Sequence, residues 1–153
     1  MIKKTINIRL KRETIEVQRS DGSTTGEIWF EIGEDAFPGE SWNDFIVKIL
    51  SWWIESLNNF IIGVANEVEF SFMDGPFIIV GSQNSDGLIY LKAVEERLKG
   101  EECVISFISD IVTLKKILLD VVDQLISNEK DLGLTGNDYS QLKNMYQKVK
   151  MSW

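Results

Sequence analysis

Phe37-Pro38-Gly39-Glu40-Ser41-Trp42-Asn43-Asp44-Phe45 is where the chain changes its hydrophobic period, and that change decides the fold. Downstream of it Trp42, Phe45, Ile46, Ile49, Leu50, Trp53, Leu57 and Phe60 recur at three- and four-residue spacing, which makes one wide apolar helix face. Ser41 is read as the N-cap. Asp44, three positions on, completes a capping-box-like start that complements the helix dipole. Trp52 falls off the stripe, and Asn58-Asn59 with Gly63 mark where the helix should stop.

Upstream, the apolar residues alternate with a period of two, which is the signature of half-buried strands. Ile6, Ile8 and Leu10 form one run and Ile15 and Val17 a second, followed by a turn at Ser20-Asp21-Gly22-Ser23. A third run sets Ile28, Phe30 and Ile32 on one face and Glu27, Trp29 and Glu31 on the other. These runs predict a three-stranded antiparallel meander.

Beyond the helix, strands resume at Val68, Phe70 and Phe72, turn at Asp74-Gly75-Pro76 and return through Phe77 to Val80. Gln83-Asn84-Ser85-Asp86-Gly87 predicts a hairpin connection to a strand over 88–93. After the charged segment 95–102 a last strand is expected over 104–108, with a short helical turn over 93–99 as the alternative for the preceding stretch. Ile111, Leu114, Ile117, Leu118, Val121, Val122 and Leu125 then form a helical stripe, with Ser109 as its cap and Asp110 in its first turn. After the glycines at 133 and 136, Asn137 is read as the cap of a final helix carrying Tyr139, Leu142, Tyr146 and Val149. The order of elements predicts one α+β domain over 1–153. Its mainly antiparallel sheet should have about six to seven strands, with one helix inserted after the third strand and two C-terminal helices.

The chain has 153 residues, 44% of them hydrophobic and 26% charged, enough to bury a core and too apolar for disorder. No apolar run approaches the roughly 18 residues a bilayer crossing needs, and no signal-peptide pattern follows Met1, so a cytoplasmic location is expected. Cys103 is the single cysteine and has no internal disulfide partner. It lies at the start of an apolar strand and is read as a small buried hydrophobe. The net charge is −8 and unevenly spread. Residues 1–20 carry six basic and two acidic groups, whereas Asp21 to Asp44 contain seven acids and no lysine or arginine. A polyanion repels phosphate backbones and attracts basic surfaces, so nucleic acid is disfavoured as a partner and a basic protein is favoured. The plainer reading is that the charge serves only solubility.

Reaction chemistry is thinly represented. The absence of histidine removes the usual general base, the commonest metal ligand and the usual triad partner. With one cysteine, zinc sites of the ordinary Cys/His kind are unavailable. The glycine-bearing stretches 33–39 and 133–136 match neither the Walker nor the dinucleotide-binding spacing. No catalytic residue, metal site or cofactor is therefore predicted. Asp74 is the most interesting carboxylate because of its constrained Asp-Gly-Pro turn. The simpler role for it is to cap that turn by accepting from nearby amides; the alternative is a small carboxylate-dependent hydrolase or metal-dependent enzyme built around it. Trp29, between two glutamates on the polar strand face, and Trp52, off the helix stripe, fit either an exposed protein-binding patch or a surface covered by a terminal helix. The predicted interface is Glu27, Trp29, Glu31, Glu34 and Asp35.

Trp42, Asp44 and Phe45, then Trp52-Trp53, then Phe72-Met73-Asp74-Gly75-Pro76-Phe77 form a wider pattern. It resembles a group of small bacterial proteins sharing Trp-x-Asp-Phe, a later Trp-Trp, and a Phe-Met-Asp-Gly-Pro-aromatic strand and turn. The likeness spans about residues 37–77, and Phe77 stands where tyrosine is expected as often. Some members of that group resemble immunity proteins encoded beside polymorphic or contact-dependent toxins. The resemblance implies a non-enzymatic binding protein that neutralises a cognate toxin, with a basic, nuclease-type toxin as the fitting partner. A homo-oligomeric assembly module, pairing through an open sheet edge or the tryptophan face, is the remaining alternative.

Overall fold

The computed structural model describes residues 2–85 and 87–153. The first half of the sheet architecture is a long hairpin, β1 (Ile6–Val17) with β2 (Thr24–Ile32), extended by the short strands β3 (Asp35–Phe37) and β4 (Asn43–Asp44), both pairing with β2. Helix α1 (Ile46–Ile61) follows. A second antiparallel sheet is a meander of β5 (Glu67–Ser71), β6 (Phe77–Ser85), β7 (Leu88–Arg97) and β8 (Gly100–Asp110). The chain closes with α2 (Ile111–Ser127), the single turn α3 (Glu129–Leu132) and α4 (Asn137–Ser152).

The α+β class and antiparallel pairing agree with the periodicity, but the strands divide into two four-stranded sheets rather than one sheet of six to seven. The two sheets touch through the N-terminal segment. Lys4 donates its amide to Ile108 and Ile108 donates to Ile2, a short parallel bridge against the edge of β8. The expected three-strand meander is one bent hairpin instead. The runs 6–10 and 15–17 belong to a single strand whose register shifts between Lys11 and Glu16. Thr14 holds the irregularity: its hydroxyl donates to the Lys11 carbonyl at 2.6 Å and accepts the Glu27 amide at 2.9 Å. A polar gap in the alternation thus marked a bulge and not a turn.

The helix start was also displaced. Ser41 is not the cap; it has φ of 64°, and α1 begins at Ile46 after Phe45, which makes no side-chain cap bond. Residues 41–44 are held to the sheet instead. Ile28 donates to the Trp42 carbonyl at 2.7 Å, and Asn43 and Asp44 pair with Glu27 and Gly26. The Phe37–Pro38 peptide bond is cis. The helix stop near Gly63 is as expected, with φ of 83° there.

In the second sheet the charged segment 95–102 is neither loop nor helical turn. It is the distal part of the β7–β8 hairpin, with Glu95, Glu96 and Arg97 paired with Glu102, Glu101 and Gly100. Cys103 accordingly sits on an exposed strand and is not a buried hydrophobe. β6 runs on through Gln83 to Ser85, so the connection to β7 is shorter than expected; Asp86 lies outside the described residues, and Gly87 has φ of 74°. Asp110, not Ser109, caps α2 by accepting the Thr113 amide at 2.8 Å, and Gly136 rather than Asn137 occupies the cap of α4. One hydrophobic cluster unites the inner faces of both sheets with α1, α2 and α4. Among the described residues no helix is long and apolar enough to cross a membrane.

Candidate functional site

The Trp-x-Asp-Phe and Phe-Met-Asp-Gly-Pro-Phe segments meet in space, and Asp44 is where they meet. Its carboxylate is 1% exposed and accepts three N–H groups: the Trp42 indole at 3.0 Å, the Phe45 amide at 2.7 Å and the Asp74 amide at 3.1 Å. Asp74 therefore does not cap its own turn. That turn is held by a carboxylate thirty residues earlier, and the Asp74 side chain is exposed. Gly75 is required because a Cβ there would lie 2.9 Å from Cη2 of Trp42, at φ of 150°. Around this point Trp42 packs edge-on against Phe72 and Phe77, Phe37 against the same two rings, and Trp53 against Phe70 and Phe72, with centroids 5.2–6.4 Å apart. Each of these rings is a packing residue. The segment staples the loop before α1 to the β5–β6 turn.

Trp52-Trp53 divides between core and surface, because adjacent helical residues point about 100° apart. Trp53 is fully buried, and its indole N–H donates to the Ser71 carbonyl at 2.8 Å. Trp52 is 37% exposed and, with Glu55, Ser56 and Asn59, forms the outer face of α1. Beside this face runs β5, whose alternation buries Val68 and Phe70 and turns Glu67 and Glu69 outward. Ser56 fixes the spacing, its hydroxyl accepting the Glu69 amide at 2.8 Å. Between helix and strand lies an open groove of about 490 Å³ lined by Trp52, Glu55, Glu67 and Glu69, with Ala65 and Asn66 at the connecting loop.

The predicted interface is placed differently. Trp29 is only 6% exposed: the Lys11 ammonium stands 5.7 Å above its ring, tethered by Ser41 at 2.9 Å and facing Glu27 at 3.6 Å. Glu31 pairs with Arg9 across the hairpin. The basic β1 thus neutralises the acidic outer face of β2, so Glu27, Trp29 and Glu31 are engaged with neighbours, and Trp29 is a covered residue rather than an exposed anchor. Glu34 and Asp35 remain exposed beside the tight turn at Gly33. The sequence reading marked Trp52 but missed Glu55, Glu67 and Glu69. The signal was present: Trp52, Glu55, Ser56 and Asn59 sit at i, i+3, i+4 and i+7, and the two glutamates alternate with Val68 and Phe70.

The C-terminal helices hold three groups of shifted acidity. The Tyr139 hydroxyl donates to Glu129 at 2.6 Å and Lys143 reaches the same carboxylate at 3.0 Å, which together hold Glu129 below the usual carboxylate range. Burial, then the bond to Glu129, pushes the Tyr139 hydroxyl well above its ordinary value. Burial and a 2.9 Å bond to Asp123 raise Tyr146 in the same direction. These are helix-to-helix ties. No group of three or more acidic or thiol side chains placed to hold a metal ion occurs among the described residues.

Comparison of the chain with protein-family models, with characterised proteins and with solved structures gave no match. The fold and the groove by themselves define an acidic α+β protein with a carboxylate-lined, tryptophan-bearing concavity.

Proposed function

We propose that this chain is a non-enzymatic protein-binding module of the bacterial cytoplasm, an immunity protein that neutralises a cognate basic toxin by docking on it. The observation that carries the reading is the concavity between α1 and β5, where an exposed tryptophan and three glutamates face one volume. Tryptophan anchors and charge complementarity are the features that fast, specific protein association uses. The net charge of −8 favours a positively charged partner, as a nuclease-type toxin with a polyanionic substrate is expected to be. The resemblance of residues 37–77 to the immunity-like group adds to this. Those residues build the packing that fixes α1 against β5, so they support the site without contributing a reacting group.

Co-purification with the product of the adjacent gene tests the reading. A stable complex that weakens with rising salt, together with relief of that product's toxicity on co-expression, is expected. An adjacent product that neither binds nor is neutralised sinks the proposal.

A further inference from the structure

Eight of the acids are paired with a lysine or arginine, and a larger number among the described residues are not. Glu27, Glu31, Glu95, Glu102, Asp120, Glu129, Asp131 and Asp138 each have a lysine or arginine within 4 Å. Glu55, Glu67 and Glu69 have none among the described residues, and all three line the α1–β5 groove. A cation entering a groove with three carboxylates on its walls is attracted by all of them. Other acids, Glu34, Asp35, Asp74 and Glu101 among them, also lack such a partner among the described residues; what sets the three apart is that they line one groove together with Trp52.

The groove is built as well as charged. Glu67 and Glu69 are two residues apart on a strand, which sets their side chains about 6.8 Å from each other on one face. The strand is fixed to the helix by the Ser56–Glu69 and Trp53–Ser71 bonds, so the two walls do not slide. These same bonds take the outward Glu69 amide and Ser71 carbonyl of β5, which leaves this edge poorly suited to accept another strand. The groove is therefore shaped for side chains rather than for backbone pairing. Trp52 offers an indole face to a planar cation, and the carboxylates offer acceptors to its N–H groups, a combination that suits arginine better than lysine.

We infer that the α1–β5 groove is the docking surface for an arginine-bearing loop of a folded basic protein, with the guanidinium on Trp52 and its N–H groups on Glu67 and Glu69. The inference rests on the docking function proposed above and specifies where that docking takes place.

The first test uses the ¹⁵N-labelled full chain and the peptide acetyl-Gly-Arg-Gly-Arg-Gly-amide, with the same peptide carrying citrulline for arginine as control. Saturable shifts of the Trp52 indole N–H and of the amides at 67–69 are expected, with a dissociation constant on the order of millimolar. Two exposed ion pairs of ordinary strength predict about three- to tenfold weaker binding in the Glu67→Gln/Glu69→Gln chain, and the citrulline peptide should produce no shift. Shifts that are absent up to about 10 mM, that centre elsewhere, or that persist unchanged in the variant overturn the inference.

The second test repeats the co-purification with the adjacent gene's product using Trp52→Ala and Glu67→Gln/Glu69→Gln, both at exposed positions and both checked for native circular dichroism. Loss of the complex in the variants but not in the parent chain supports the groove. A product that binds parent and variants alike removes the groove and leaves the immunity function standing. A product that ignores the parent chain removes the immunity function, and the peptide titration then decides the groove by itself.

Discussion

Asp44 carries more structural consequence than any other single polar residue in the chain. Removing a buried carboxylate that accepts three N–H groups takes the acceptor from all three donors at once. Asp44→Ala should lower stability by about 3 kcal/mol, and Asp44→Asn, which turns an amide donor towards other donors, by about 2 kcal/mol. Both are read from the urea midpoint at unchanged slope. Asp74→Asn, at an exposed carboxylate in the same motif, should change stability by less than about 0.5 kcal/mol. Sequence alone singled out Asp74 for its place beside Gly-Pro and read Asp44 as part of a helix cap. Chemistry made both acids plausible in those roles. Distance decided otherwise, because the Asp74 amide lies on the Asp44 oxygen across thirty residues of chain.

At the level of elements, α1 is both a core helix and the cover of a sheet edge. Its buried stripe (Ile46, Ile49, Leu50, Trp53, Leu57) was plain from spacing, and only its first turn was misplaced. Ser56 and Trp53 meet the outward backbone groups of β5, which protects an edge strand that would otherwise offer unpaired groups to another chain. Ser56→Ala should cost about 1 kcal/mol, measured by thermal unfolding, with faster amide exchange at Glu69 as the local signature. The α3–α4 region gives a pH prediction. Tyr139 and Tyr146 have raised hydroxyl values in the fold, so they contribute stability that is complete below the ordinary tyrosine value of 10.0 and is lost as pH rises above it. Replacing both tyrosines with phenylalanine should flatten the decline in melting temperature above pH 10, relative to the parent chain.

For the whole molecule, the arrangement of charge matters more than its sum. Arg9 and Lys11 of β1 pair with Glu31 and Glu27 of β2, so the two sequence blocks of opposite sign are partly paired on one face. Acids without a basic partner among the described residues include those where α1 meets β5, those at the β2–β3 turn, and Glu96 and Glu101 on the distal β7–β8 hairpin with the exposed Leu98. Of these three regions, the groove between α1 and β5 is the one that is concave and lined by a tryptophan, which is why the proposed docking is placed there.

Local periodicity by itself determined the α+β class, the three main helices, most strand positions and the burial of Trp53, Phe70 and Phe72, because those follow from which side of a strand or helix each residue occupies. The tertiary structure alone decided that the strands form two sheets, that Trp29 lies under Lys11 while Trp52 stays open, and that Glu55, Glu67 and Glu69 share one hollow. These depend on which elements lie beside which, and alternation within a strand carries no record of its neighbour across the fold.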